Sequence, residues 1–323
     1  MDRRFLPINH TPVRGPCLHS NSANMKTMKQ NTFSKTSSWT QQQTAKLKCP
    51  KRYFFRYLDP AEAGKPFKQL YSVRELGGLL IHEALAGVVR RVADGGRVSD
   101  EEGVVEETRR QFLEIVARSL ATPPGELTGE RQLAETFNGV IPEDDIRHWR
   151  DYIPECIRNG IRLMITLRFR SDSEKYTLEA ERRYSLSRNG KSYRGVMDVY
   201  IQDDRDRIII DWKTHEITST DLQQLSHYIR HVERTEGIPA SRITGIAVDL
   251  AREKTVPLRL KPEGVFIGAR DKYGKSDPPK EPPEDTDRHP SKPSIAACGI
   301  CPFTAICKDS AVSLSSIEME VGL

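Results

Sequence analysis

The residues best suited to chemistry lie in two short stretches, GVMD at 195–198 and IIIDWKT at 208–214. Side chains alternate along a strand, so Asp211 and Lys213 leave one face and Trp212 the other. Asp198, on the preceding strand, can lie beside Asp211 across the sheet. Two carboxylates and an ammonium then meet at the end of an otherwise apolar strand pair. Hard oxygen ligands suit Mg²⁺ or Mn²⁺, which keep positions open for water and phosphate. Lys213 could orient the attacking water, help deprotonate it and offset charge in the transition state. The chemistry that fits is metal-assisted phosphodiester hydrolysis. Taken alone, an Asp-x-Lys triplet is usually a surface salt bridge, so its neighbours matter.

Gln224 and Tyr228 stand four apart in the following helical stretch and share one face. An amide and a phenol there could hold the lysine or a phosphate, or simply form a polar helix face. His82, in GGLLIHEAL, is either structural or a further metal ligand if its helix packs near the sheet edge. Glu179 and Glu181 share a strand face, and one of them could add a carboxylate, though an exposed strand face explains them equally well.

The six cysteines are Cys17, Cys49, Cys156, Cys298, Cys301 and Cys307. The last three form C-x2-C-x5-C, a spacing that lets three thiolates converge and calls for a fourth from elsewhere. Four thiolates suit structural zinc or an iron–sulfur cluster, and the chemistry alone leaves both open. No apolar run with a small-residue cleavage site follows the start Met, so thiols or metal ligands are expected rather than disulfides, and a cytoplasmic location. Cys17 and Cys156 have no partner by spacing, which predicts an exposed thiol and a core residue.

These residues must be positioned by an α/β fold. VRELGGLLIHEALAGVVRRV is helical in period, and Ser99 with Glu102 makes a capping box before VVEETRRQFLEIVARSLA. EDDIRHWRDYIPECIRNGIRLMI is a third helix that Pro154 should interrupt. From Tyr176 the period becomes two: Asn189-Gly190 marks a hairpin between YTLEAERRYSLS and KSYRGVMDVYIQ. RIIIDWKT is a strand, TSTDLQQLSHYIRHVERTEG a helix capped by Ser219 or Thr220, and RITGIAVDL and TVPLRLK two more strands. The sum is a mixed sheet flanked by helices. The expected segments are a disordered basic leader at 1–35, an entry motif and helical lobe at 36–170, the α/β core at 171–269, a Pro-rich linker at 270–294 and a cysteine segment at 295–323.

In this order the motifs resemble the PD-(D/E)XK nucleases of the RecB-like group. LKCPKRYFFRYL (47–58) is similar to that family's entry motif, GLLIHEAL to its histidine motif, GVMDVYI and IIIDWKT to its metal-binding aspartate and (D/E)XK strand, and QLSHY to its Q-x-x-x-Y motif. The resemblance covers residues 38–58, 74–88 and 176–250, and 89–170 has no counterpart. It implies a restriction-endonuclease-like fold and a DNA nuclease, with His82, Asp198, Asp211 and the Trp212 carbonyl as metal ligands. Lys213 would be catalytic, supported by Gln224 and Tyr228. Cys49, in the entry motif, becomes the fourth thiolate. A lone upstream Cys with C-x2-C-x5-C resembles CRISPR-associated exonucleases and AddB-type subunits, implying a [4Fe–4S] cluster, with zinc as the alternative occupant. An exonuclease on single-stranded or free-ended DNA is expected, with a helicase or other DNA-processing protein as a possible partner. The competing class is an inactive nuclease-like DNA-binding or assembly subunit.

The net charge of +5 gives no argument for nucleic acid, because residues 1–35, with six Lys/Arg against Asp2, account for all of it. The basic run Lys46, Lys48, Lys51, Arg52 and Arg56 is interleaved with Tyr53, Phe54, Phe55 and Tyr57. The aromatics are expected in a core, and the cations could meet phosphate. No stretch is long and apolar enough to span a membrane.

Overall fold

The two-residue period from Tyr176 builds the sheet, and the three-to-four-residue period before it builds the helices that cover one face. The computed structural model describes residues 36–37, 49–55, 66–97, 101–167, 176–188, 191–260 and 294–311. Its strands are β1 (Thr36–Ser37), β2 (Leu70–Tyr71), β3 (Gln132–Leu133), β4 (Tyr176–Arg188), β5 (Lys191–Asp203), β6 (Arg207–Lys213), β7 (Ile243–Asp249) and β8 (Lys254–Leu258). Its helices are α1 (Pro50–Tyr53), α2 (Val73–Ala93), α3 (Glu101–Ala121), α4 (Ala134–Phe137), α5 (Glu143–Thr166), α6 (Ser219–Glu236) and α7 (Ile295–Gly299). The basic leader, Cys17 and nearly all of the Pro-rich stretch lie outside the described residues.

β4 and β5 form the expected antiparallel hairpin, with Arg188 opposite Lys191; Asn189 and Gly190 themselves lie outside the described residues. β6 pairs antiparallel with β5, β7 parallel with β6 after the crossover helix α6, and β8 antiparallel with β7. β1 adds in parallel to β5 at Ser192 and Tyr193. The outcome is a mixed, helix-flanked sheet consistent with the restriction-endonuclease-like class. The small parallel pair β2–β3, unexpected from the sequence, joins the chain ahead of α2 to the start of α4.

α2, α3 and α5 cover one face, where Leu80, Leu85, Phe112 and Ile157 pack with Val199, Ile210, Trp212 and Val248. α6 covers the other, where Leu225 and Ile229 meet Met197, Tyr200 and Ile209. β6 is therefore buried on both sides, which explains its unbroken Ile208-Ile209-Ile210 run. Burying each large aliphatic side chain contributes about 1.5–3 kcal/mol. Solvent-facing ion pairs such as Arg158–Glu102 are minor beside that. No described helix is long and apolar enough to cross a membrane.

Several local expectations change. α5 runs through Pro154 as one helix, held on either side by buried Ile153, Cys156 and Ile157. Cys156 is fully buried in that core, as expected. The cap of α6 is Thr218 rather than Ser219 or Thr220. Thr218 accepts from the Asp221 amide and Asp221 bonds back to the Thr218 amide at 2.8 Å, a reciprocal box that puts Ser219 and Thr220 in the first turn. Ser99 lies outside the described residues, and Glu102 pairs with Arg158 of α5 at 2.9 Å.

Glu135 on α4 is 3% exposed. Its Oε1 accepts from the Val73 amide at 3.0 Å, and no described donor reaches its Oε2. Burial pushes this carboxyl up to about 7, against the backbone amides that favour the anion. A carboxyl that holds its proton more tightly when folded stabilises the fold fully below its unfolded value. It loses that contribution as pH rises from 4.5 through about 7. Glu135→Gln is therefore expected to be more stable than wild type at pH 8, by at most about 3 kcal/mol at roughly 1.4 kcal/mol per pKa unit. Urea melts across pH 5–8 check this, and the gap closes toward the acid end.

Candidate active site

β5 and β6 part at a single rung. Their ladder runs from Gln202 opposite Arg207 to Val199 opposite Ile210 and stops, one residue short of Asp198 and Asp211. Beyond it the Trp212 amide has no ladder partner on β5 and donates to Asp198 Oδ2 at 2.7 Å. In an extended residue N–H and C=O leave on the same side, so the Trp212 carbonyl also points toward β5. Asp198 Oδ1 lies 3.0 Å from His82 Nδ1, delivered by α2. Burial alone would lower His82, but the Asp198 carboxylate outweighs it and raises the imidazole above its ordinary value.

The Trp212 side chain is buried in the α2-side core, while Asp211 and Lys213 face α6. Lys213 Nζ lies 2.7 Å from Asp211 Oδ2 and 3.4 Å from Asp221 Oδ1, and donates to Gln224 Oε1 at 2.9 Å. Gln224 Nε2 in turn donates to Tyr228 OH at 2.6 Å. Burial would lower Lys213, yet Asp211 and Asp221 raise it, so the side chain is an ammonium. Burial and the nearby Asp198 charge raise the Asp211 carboxyl despite Lys213. Burial and both aspartates keep Tyr228 protonated.

Lys213, Asp198, Asp211, His82, Gln224 and Tyr228 are thus brought together. The sequence missed Asp221, which is held below the usual carboxylate range, against its burial, by His215, Lys213 and Thr218. The Thr218-x-x-Asp221 cap spacing was its one signal. Tyr184 was also missed; its ring centre lies 5.2 Å from that of Tyr228. Glu179 and Glu181 turn elsewhere: Glu179 lies beside Arg182, and Glu181 pairs with Arg90 of α2. Asp198, Asp211, His82 and the Trp212 carbonyl are the donors here that could hold a hard divalent cation, although among the described residues no three of these side-chain types already converge on one metal position. The buried Asp211 Oδ2, close to Lys213 but with no hydrogen-bond donor in good geometry, is where such a cation would offset charge.

A second constellation joins the two ends of the described chain. Phe54 and Phe55 pack on Phe303, with Cys301 and Cys307 against them. This is the expected core role for the aromatics. The neighbouring cations are used internally: Lys51 bonds Asp309 at 2.6 Å and Arg52 bonds Glu75 at 2.6 Å. Lys46, Lys48, Arg56 and Tyr57 lie outside the described residues. Burial pushes the Cys301 thiol up to about 11, with Cys49 and Cys298 within electrostatic reach; burial and Cys49 also raise Cys307. Cys298 accepts the Ala311 backbone N–H at 3.4 Å, and the Phe303 and Asp309 backbones act against the rise at Cys301 and Cys307. Amides aimed at sulfur suit thiolate ligands, and the lysine and arginine nearby suit their charge. Asn138 Nδ2 donates to the carbonyls of Cys298, Gly299 and Cys301, lacing this loop to the end of α4. Among the described residues no three His, Cys, Asp or Glu side chains already converge on one metal position.

Residues 38–308 match the family model of the PD-(D/E)XK nuclease superfamily. No curated protein matches the chain.

Gly195 sets how closely β5 approaches Tyr184. A Cβ there would sit 2.1 Å from Tyr184 Cε1, so the ring that supports Tyr228 must move. Gly195→Ala is expected to destabilise by about 1–3 kcal/mol through overpacking. At Gly87 of α2 a Cβ meets nothing within 4 Å, and Gly87→Ala should stabilise by about 0.5–1 kcal/mol. Urea melts of the two variants, moving in opposite directions, check the pair.

Proposed function

From a chain that belongs to the PD-(D/E)XK nuclease superfamily, we propose a metal-dependent DNA exonuclease of the RecB-like group, acting on single-stranded or free-ended DNA. The observation that carries this is the convergence at one rung. Lys213 lies 2.7 Å from Asp211, and Asp198 is bonded to the amide of the residue between them. An accidental surface Asp-x-Lys would be neither buried nor shared with a second aspartate and a histidine.

Asp198, Asp211, His82 and the Trp212 carbonyl would hold Mg²⁺ or Mn²⁺, which when bound activates water and offsets phosphate charge. Asp211 and Asp221 keep Lys213 protonated, so it can orient the attacking water and donate toward charge developing on phosphate. Gln224 fixes the ammonium, and Tyr228 fixes Gln224. Cys49, Cys298, Cys301 and Cys307 would hold a [4Fe–4S] cluster as a structural staple, a proposal supported by the Ala311 N–H aimed at Cys298 and by the packing of Cys301 and Cys307 on one cluster; zinc is the alternative occupant. A helicase or other DNA-processing protein is the partner class proposed with it.

The test is cleavage of end-labelled single- and double-stranded DNA with Mg²⁺ or Mn²⁺. Lys213→Ala is expected to lose about 10²–10³-fold in rate, the cost of one transition-state donor, while keeping fold and DNA binding. Asp198→Ala and Asp211→Ala should each abolish activity, and the double variant should be little worse than either, because groups that share one ion are not additive. For the staple, Cys49→Ser and Cys301→Ser should lose iron and labile sulfide together and melt at similarly reduced temperatures, while Cys156→Ser keeps full iron. Colourless protein with one tightly held zinc would replace the cluster by zinc.

A further inference from the structure

The β4–β5 ladder lacks one rung. Register pairs run from Tyr176 with Asp203 to Ala180 with Val199, and resume at Arg182 with Met197. The omitted pair is Glu181 and Asp198. No residue is inserted, so this is not a bulge of the usual two-against-one kind. Glu181 has φ 51°, the left-handed region that non-glycine residues seldom occupy and that clusters at functional sites.

The consequence is visible in what the flanking side chains touch. On one side of the rung, Leu178, Ala180, Val199 and Ile201 pack in the core beneath α2, α3 and α5. On the other side, Tyr184 and Met197 belong to the core beneath α6. On a regular strand Val199 and Met197 would share a face, as would Ala180 and Tyr184. Both strands therefore exchange faces across the Glu181–Asp198 rung. At the crossover Asp198 belongs to neither face. Its carboxylate lies along the sheet, reaching the Trp212 amide of β6, His82 from one layer and the electrostatic field of Asp211 and Tyr228 from the other.

We propose that Glu181 is a positioning residue: its left-handed backbone turns Asp198 out of the facial alternation and aims it along the sheet at the metal position. This rests on the nuclease reading above. The Arg90–Glu181 ion pair ties the same turn to α2, the helix that brings His82. Both partners of that pair are largely exposed, with side chains 54% and 41% accessible. An exposed pair contributes little, so the backbone conformation rather than the charge is the device.

A substitution series separates the two. Glycine and asparagine tolerate the left-handed region, and valine does not. Glu181→Gly and Glu181→Asn are expected to bind Mn²⁺ within about threefold of wild type and to keep the Trp212 amide protected from exchange in metal-free protein. Glu181→Val should bind Mn²⁺ at least about tenfold more weakly and lose that protection. If Glu181→Val does not fold, Glu181→Ala takes its place, and must be weaker than Glu181→Asn in both readouts. Equal Mn²⁺ affinity and Trp212 protection across the series would overturn the proposal, as would Gly and Asn variants as weak as Val. A wild-type protein that neither binds Mn²⁺ nor cuts DNA would instead overturn the nuclease reading, and this inference with it.

Discussion

The Asp198–Trp212 hydrogen bond is the contact on which the rest of the site depends. A sheet that kept its ladder to the end of β6 would satisfy the Trp212 amide with a β5 carbonyl and leave no gap between the strands. Because β5 and β6 separate after Val199 and Ile210, a side-chain carboxylate takes over the amide at 2.7 Å. The bond fixes Asp198 relative to the backbone of β6, not merely to its side chains. Everything that must meet there follows from that frame: Asp211 and Lys213 on one face of β6, His82 from the helix above, Gln224 and Tyr228 from the helix below.

Lys213 illustrates how charge is kept in a nearly dry site. Desolvating an ammonium is costly, and the chain offsets it with Asp211, Asp221 and the Gln224 carbonyl. One of these, Asp221, also closes the cap of α6. The start of the crossover helix and the position of the lysine are thus set by one carboxylate. Local helix chemistry and site chemistry cannot be altered separately there.

Much of this was legible beforehand because it depends on period and spacing. Alternation put Asp211 and Lys213 together and Trp212 apart, and four-residue spacing paired Gln224 with Tyr228. Asn189-Gly190 gave the hairpin, and the apolar run at 208–210 gave a strand buried on both faces. What stayed hidden depends on departures from regularity. Alternation could not show that a single positive φ at Glu181 breaks the strand face, because no residue type announces it. Tyr184 approaches the site only because the same crossover turns it toward α6. Asn138 reaches three carbonyls of the cysteine loop across 160 or more positions, a contact that no local pattern encodes. Lys51 and Arg52 looked free for phosphate, since their partners Asp309 and Glu75 are visible only after folding.

The Lys51–Asp309 pair joins residues 258 positions apart, and the Phe54–Phe55–Phe303 cluster joins the same two segments. On a ribosome, which adds roughly 5–20 residues per second, the early aromatics are made on the order of tens of seconds before the phenylalanine that covers them. The α/β layers can assemble vectorially as they emerge, since α2 through β8 find their partners within that span. The cluster just after α1 cannot be completed that way: Phe67 reaches Phe54 and Phe55 early, but Phe303, Cys301 and Ile306 join them only near the end of the described residues. Closing the circuit between these segments is then a late event in synthesis, and any truncation that removes Phe303 takes away a buried ring that covers that hydrophobic pair.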